Sequence, residues 1–491
     1  MRCILIILSI SLTTLVNAQM YRVFYREPAT PVQYAFLIKN HCDSVWMSST
    51  WLNYSLIETS SDVNQLLQFS FVDRVEKVEP LNSVSFQENL KDSMDPEALN
   101  EHRQWQLDTM GYKYFSEYNL DGKGIVIAII DAGFTGANES RGFKTIFDEG
   151  RVLKTWDFID NDTTVFDGST HGTSVWSCIA GNLDGKQTGL ATGASFILLR
   201  SEDQKTETMA DEDRWILAIE KAYELGADVV NSSIGFTNVL HKRSEINGQS
   251  LISKAAEIAT EKGMVVVMSA GNEWVTAWKT ISIPADAEGV ITVGAIDKEG
   301  KQTYFSSVGP TADGRSKPDV VAPGVCVVVK GNTLVMANGT SFASPLVAGY
   351  MACMLQLKGE GNFNRDSIKV YGGLYPYFDY VFGYGVPQPY RLSDARFILN
   401  PTHIFKVDKL KSTVQCIPVV GSNTPALKNV FVKVEDENGV IKFSKKINFY
   451  KSGIYKVSTS SKAIKFYYGK NYNPKSTDKW TFSYWIINQE Y

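Results

Sequence analysis

Cysteine is too scarce in this chain to frame its fold: six residues in 491, with spacings that match no metal-ligating pattern. Cys3 lies in the first apolar run, and Cys42, Cys178, Cys326, Cys353 and Cys416 leave an odd number. Cys178, Cys326 and Cys353 sit in apolar stretches, where a buried free thiol is expected. A chain of this length, 44% apolar, can hold a large core without a disulfide framework. Positive charge is not in excess either. Lys and Arg number 49 against 53 Asp and Glu, a formal net charge of −4, so there is no basic stripe for nucleic acid. No segment beyond the first 18 residues is long and apolar enough to span a bilayer.

The one apolar run near the start is short. Met1-Arg2 precede Ile4 to Val16, and Val16-Asn17-Ala18 offers a cleavage site before Gln19. Ser9, Ser11, Thr13 and Thr14 interrupt the run, which argues for a secretory signal peptide over a membrane anchor. The expected location is outside the cytoplasm: secreted, periplasmic or on the cell surface.

Against these absences stand three segments that each carry a catalytic residue type, in a fixed order. IVIAIIDAGF ends an apolar run on Asp131, STHGTSVWSCIAG carries His171, and NGTSFASPLVAG carries Ser341. Ile125 to Ile130 has the continuous apolar character of a parallel strand covered on both faces, so Asp131 would emerge at its carboxyl end, where sites in open α/β sheets lie. Ser341 precedes a helix-like stretch, Phe342 to Leu357, with Pro345 expected in its first turn. There backbone donors and the positive end of the helix dipole favour a developing oxyanion. Each residue alone would read as a turn, a cap or a loop. Together, in the order Asp, His, Ser, they form the subtilisin type of triad.

With those motifs the chain resembles the subtilase family of serine endopeptidases, in its secreted bacterial form. Asp131-Ala132-Gly133, His171-Gly172-Thr173 and Gly339-Thr340-Ser341-Phe342-Ala343-Ser344-Pro345 match the family's triad segments, with Phe342 where Met is commoner. Asn231-Ser232-Ser233-Ile234-Gly235 is similar to the substrate-binding strand, Ser269-Ala270-Gly271-Asn272 to the oxyanion-hole segment, and Lys317 to Gly324 to the strand before the serine. The resemblance covers roughly residues 106 to 398. It implies that Ser341 attacks the scissile carbonyl, that His171 relays the proton, and that Asp131 orients the imidazole. Asn272 would donate to the oxyanion. Ser232, Ser233, Ile234, Gly235, Ser269, Ala270 and Gly271 would line the substrate groove, with Ser282 near the floor of its primary pocket and Trp274 and Trp278 either shaping that pocket or covering core. Protein or peptide substrates are expected, and no cofactor is required for the chemistry. Many relatives hold structural calcium after the catalytic-His helix. Here that loop, Asn182 to Gly189, is short and Asp184 reads equally as a turn residue, so calcium stays possible without ligands to name.

The remaining organisation follows from pattern. Residues 19–105 read as a small α+β segment, with a strand over Gln33 to Lys39, a short helix over Asp62 to Gln68 and a strand over Val72 to Val78. It resembles the inhibitory propeptides of secreted subtilases, which would make it a partner of the catalytic region; a permanent accessory domain is the other reading. Residues 106–398 alternate strands with helices, hence α/β with a doubly wound, mainly parallel sheet. Its strands are expected at Ile125 to Ile130, Phe196 to Arg200, Val229 to Ser233, Met264 to Met268, Ile291 to Ile296 and Val325 to Val329. Helices are expected at Thr173 to Ala180, Arg214 to Leu225, Gln249 to Lys262 and Ser344 to Leu357. Residues 399–491, rich in Val, Ile, Tyr and Phe with turns such as Glu437-Asn438-Gly439, read as a C-terminal β domain. An acidic group, Glu202, Asp203, Glu207, Asp211, Glu212 and Asp213, reads either as a solvated loop capping a helix or as a wall of the groove. Two other functions remain open: a subtilase-fold binding protein or self-processing zymogen with little general activity, and an esterase or acyltransferase. No Gly-x-Ser-x-Gly elbow surrounds Ser341 to favour the last.

Overall fold

The computed structural model describes residues 18–26, 30–78, 90–91, 95–203, 208–237, 239–358, 367–375 and 378–389, with short strands beyond 402. The signal-peptide reading, Glu207 and the turn at 437–439 lie outside the described residues. Two compact units are present, one of residues up to Leu81 with Thr208–Asp213, the other of the rest.

The first unit is a four-stranded antiparallel sheet in the order β2-β3-β1-β4, formed by β1 (Gln19–Tyr25), β2 (Ser44–Ser49), β3 (Tyr54–Thr59) and β4 (Val72–Val78). Strand β4 lies where the sequence puts it. The strand expected over Gln33 to Lys39 is instead helix α1 (Pro31–Ile38). Thr30 and Gln33 exchange side-chain and backbone hydrogen bonds as a capping box and Pro31 opens the helix. Pro31, Tyr34, Ala35 and Ile38 then fall on one buried face, a spacing of three and four that only a helix satisfies. The expected helix after Asp62 is a 3₁₀ turn over Val63–Gln68, capped by the Asp62 carboxylate. Asp213 belongs to this unit: its buried carboxylate accepts from Arg22 Nε at 2.7 Å and from the Tyr54 hydroxyl at 2.6 Å.

The second unit begins with β5 (Leu90–Lys91), α2 (Pro96–Thr109) and α3 (Tyr112–Glu117). Then come β6 (Val126–Asp131), α4 (Lys144–Asp148), β7 (Val152–Asp157), α5 (His171–Ala180) and a tight hairpin of β8 (Asn182–Leu183) and β9 (Lys186–Gln187). The chain continues through β10 (Ser195–Arg200), α6 (Met209–Glu224), β11 (Val229–Ser232), α7 (Leu251–Glu261), β12 (Val265–Ser269), β13 (Ile291–Ile296) and β14 (Val320–Pro323). Last come β15 (Val325–Lys330), β16 (Thr333–Asn338) and α8 (Thr340–Lys358). Seven strands form one sheet in the order β14-β13-β12-β11-β6-β10-β7, parallel at every step. The chain builds outward from β6 first on one side and then on the other, which makes the carboxyl end of β6 the switch point of a doubly wound fold.

One strand of that sheet escapes the sequence pattern: VLKTWD (β7) is an edge strand and leaves Leu153 and Lys154 exposed. VVAP (β14), at the other edge, lies within the Lys317 to Gly324 segment matched by resemblance; it is only four residues long and ends in proline. Val325 to Val329 is a strand as expected but not of this sheet, since it pairs antiparallel with β16, which pairs in turn with β5. The four expected helices are present, and α6 and α8 start earlier than read. Because α8 begins at Thr340, Pro345 lies inside the helix and not in its first turn. Helices α5 and α8 are almost wholly buried against the sheet. Beyond residue 402, strands pair as two small sheets, of four and three strands.

Candidate active site

Asp131, the last residue of β6, is fully buried. Its Oδ1 accepts from the Ala132 amide at 2.8 Å and from His171 Nδ1 at 2.7 Å. A carboxylate can only accept, so Nδ1 carries the proton and Nε2 of the neutral ring is left as the basic atom. Oδ2 has no hydrogen-bond partner among the described residues, so the bonds that hold this carboxylate converge on Oδ1. His171 opens α5, and its amide donates to Ser169 Oγ at 3.0 Å. Gly172 is required next, because a Cβ there would collide with the Gly133 carbonyl and crowd Asp131. The small residues flanking the first two motifs thus let the start of α5 seat directly on the end of β6.

Behind the histidine lies Arg200, in register with Asp131 on the neighbouring strand. Its Nη1 meets Asp157 at 2.7 Å, Asp167 at 3.2 Å and Asp160 at 3.4 Å. Burial pushes the Asp157 carboxyl above the usual range, and the backbone amides of Ile159 and Asp160 together with Arg200 oppose that rise. The cluster anchors the loop between β7 and His171.

Ser341 is the second residue of α8, and its Oγ lies 3.4 Å from the Ser233 carbonyl. The Ser233 hydroxyl donates back to the Ser341 carbonyl at 2.8 Å, and Ser344 Oγ donates to Asn231 Oδ1 at 2.8 Å. These bonds tie the first turn of α8 to β11 and the residues that follow it. Asn272 follows β12. The amide and the hydroxyl of Thr340 both lie 2.9 Å from Asn272 Oδ1. Since an amide N–H can only donate, it fixes the amide orientation and leaves Nδ2 as the donor available to the cleft. Thr340 Oγ1 also accepts from the Gly271 amide at 3.2 Å. Thr340 was carried in the Gly-Thr-Ser motif, yet nothing in sequence signals that it holds Asn272.

His171, Asn272 and Ser341 line one cleft of about 310 Å³ at the carboxyl ends of the strands. Of the groove residues expected from sequence, Ser233, Ile234, Gly235, Ser269 and Gly271 line it too. Ser232 and Ala270 do not. The Ser232 hydroxyl accepts from the Trp215 indole at 2.9 Å, and Ala270 is buried with its amide on the Val293 carbonyl. Ser282 lies where the pocket floor was expected, against Gly235, where a Cβ would meet its hydroxyl. Trp278 covers core, with its indole on the Ile281 carbonyl, and neither it nor Trp274 lines the cleft. Sequence reasoning missed Tyr304 and Phe305, which line it from the loop after β13. Of the acidic group, Glu202 lines the cleft, whereas Asp211 accepts from the Thr208 amide and hydroxyl, as a helix-capping residue does.

The hairpin after α5 does not fit a calcium cage. Asp184 and Gly185 take left-handed φ values, 51° and 83°, at its two-residue turn, and the Asp184 carboxylate pairs with Arg141 at 2.9 Å. Among the described residues no three His, Cys, Asp or Glu side chains gather as a metal site. Cys178, Cys326 and Cys353 are buried free thiols; burial, with Cys178 alongside, pushes Cys326 well up.

The model of the subtilase family matches residues 122–370. The thermophilic serine proteinase of Bacillus sp. strain AK1 is 32% identical over 274 residues, which cover 53% of this chain and 61% of that protein. Subtilisin DY of Bacillus licheniformis is 30% identical over 253 residues, 51% of this chain and 80% of the relative. Among solved structures, fervidolysin from Fervidobacterium pennivorans, a keratinolytic enzyme related to subtilisin, aligns over 92% of this chain and 70% of its own, with a TM-score of 0.56 at 20% identity. The epidermin leader peptide processing serine protease of Staphylococcus aureus, as its S393A mutant, aligns over 77% of this chain and 100% of its own, with a TM-score of 0.57 at 19% identity. At such identities the two structures speak for the fold alone. The matched region spans less than two thirds of the Bacillus sp. AK1 relative.

Proposed function

Because this chain belongs to the subtilase family, whose model spans half of it, we propose that it is a serine endopeptidase working through Asp131, His171 and Ser341. The observation that carries the reading is the 2.7 Å bond from His171 Nδ1 to buried Asp131, in a cleft that His171 shares with Ser341 and Asn272. Ser341 Oγ attacks the carbonyl carbon of the scissile bond as its proton passes to His171 Nε2. Asp131 stabilises the resulting imidazolium. The carbonyl oxygen takes up negative charge and receives the hydrogen bond of Asn272 Nδ2, which matters mainly in the transition state and is worth roughly 10²–10³ in rate. His171 then gives its proton to the leaving amine, and water hydrolyses the acyl-enzyme by the same route in reverse. No cofactor enters these steps.

The finer proposal is export by the N-terminal apolar run and restraint by the first unit until folding is complete. A slow-folding parallel sheet in an active protease has reason to carry such a segment.

The test is Ser341→Ala, compared with the parent on casein and on short acyl esters. Loss of peptide hydrolysis with an unchanged unfolding midpoint is expected, because one buried hydroxyl among small residues contributes little to packing. Near-native turnover in the variant would refute the assignment, and a parent that cleaves the esters but not casein would move the reading to an esterase.

A further inference from the structure

The edge of one strand leads directly to the nucleophile. Strand β16 ends at Asn338, which lines the cleft, and Gly339 and Thr340 join it to Ser341. Along one side all six residues of β16 pair with β15, from Asn338 opposite Val325 to Thr333 opposite Lys330. Along the other side, among the described residues, Met336 and Ala337 alone are paired, with Lys91 and Leu90 of β5. Val335, Met336 and Ala337 are buried, so this edge is held firmly from behind.

The pairing has a polarity. Because β5 is antiparallel to β16, Leu90 stands opposite the residue next to Asn338 and Lys91 stands one step further from the cleft. A strand in this seat therefore runs away from Ser341 in the N-to-C direction. The residues that follow a scissile bond held at Ser341 run the same way, since the acyl part stays on the serine and the remainder departs with the amine. Such an edge binds through main-chain hydrogen bonds, which suit an extended peptide of almost any sequence.

We propose that the edge of β16 receives the leaving side of a peptide substrate as an antiparallel strand, and that β5 occupies this seat in cis and gives way when a long peptide binds. The inference rests on the peptidase reading above and deepens it by naming extended chains as the substrate class and a strand of the same chain as their competitor. Opposed residues in an antiparallel pair alternate between bonded and non-bonded, so of the two positions in β5 only one exchanges N–H···O bonds with β16. A peptide that continues past Met336 forms more of them. One that stops close to the scissile bond never meets β5.

The test uses the full chain, expressed and allowed to mature, and its Leu90→Pro/Lys91→Pro variant, in which neither residue retains an N–H to donate to β16. Two substrates share one acyl-side sequence. The short one ends in p-nitroanilide, and the long one continues for about six residues, enough at roughly 3.3 Å per residue to lie along β16. The readout is the ratio of kcat/KM for the long to the short substrate within each protein, which is insensitive to differences in the amount folded. The variant should raise that ratio about tenfold, through a lower KM for the long peptide at unchanged kcat, with the nitroanilide constants equal in both proteins. A merely structural role for β5 would move both substrates together. Should the variant fail to fold, the parent decides through N-methylation of each leaving-side residue of the long peptide in turn. Losses of about tenfold at alternate positions, the period of a paired strand, are expected. Equal ratios in parent and variant, including the case of an active chain that has lost Leu90 and Lys91, overturn the inference and leave the peptidase reading standing, as does indifference of the parent to N-methylation at every position. No cleavage of either substrate by the parent overturns both.

Discussion

The hydroxyl of Ser233 donates to the carbonyl of Ser341 at 2.8 Å, taking the place that the amide of residue 345 would fill in an unbroken helix. Residue 345 is proline and has no N–H, so the carbonyl four residues earlier is left open. The missing bond is therefore a junction: the Ser341 carbonyl is bonded to the residue after β11 in place of its own helix.

Ser233→Ala should leave that carbonyl buried and unpaired, lowering stability by about 1–3 kcal/mol in chemical denaturation. Pro345→Ala restores the missing amide, so the double variant should recover most of the loss. Strictly additive effects in the double-mutant cycle would show that the two groups do not compete for one acceptor.

Asn272→Ala should lower kcat by roughly 10²–10³ with little change in KM, since the bond it loses forms in the transition state. Thr340→Ala keeps the backbone amide on Asn272 but removes the hydroxyl that also holds Gly271, and a fall in kcat of about tenfold is expected. In the Asn272→Ala background the Thr340 change should matter little. Were the two losses to multiply in full, Thr340 would be acting on something other than the Asn272 amide.

Stability should rise as pH is raised toward about 6.5 because of His102. Burial pushes this imidazole below its ordinary 6.5, and its Nε2 lies 2.7 Å from the Val325 carbonyl, which can only accept, so the folded ring is neutral and protonated on Nε2. As pH falls below about 6.5 the unfolded chain takes up a proton at this site before the folded one does. The contribution is therefore complete above 6.5 and lost toward acid. His102→Gln should flatten the curve of unfolding free energy against pH in this window. Parallel curves for the variant and its parent would remove His102 as the cause.

Maturation should cut the chain before Pro96. Helix α2 runs from Pro96 to Thr109, and Gln106 exchanges hydrogen bonds with the backbone of Val327 and donates to that of Thr188, so this helix belongs to the second unit; a boundary near residue 105 falls inside it. N-terminal sequencing of the active protein should give a residue between 82 and 96, and Ser341→Ala should accumulate the longer form in a host lacking other proteases. Full activity in a chain that still begins at Gln19 would make the first unit a permanent domain.

Much of this was readable in advance, for a physical reason. Strands buried on both faces, such as Val126–Asp131 and Val265–Ser269, announce themselves as unbroken apolar runs, and Asp131 sits at the end of one of them. Elements fixed by other forces were not legible. Helix α1 depends on a cap formed by Thr30 and Gln33 within an otherwise strand-like string. Strand β15 looks like its parallel neighbours and is distinguished only by its pairing with β16. Thr340 holds Asn272 through a contact 68 residues away in sequence, a relation that leaves no local trace.

The cation that anchors the loop ahead of His171 is covalently attached. A bound metal ion equilibrates with its surroundings and departs when a chelator competes for it. Arg200 has no free concentration and nowhere to go. The hold on Asp157, Asp160 and Asp167 thus does not depend on the occupancy of a bound ion. This segment carries its counter-charge with it.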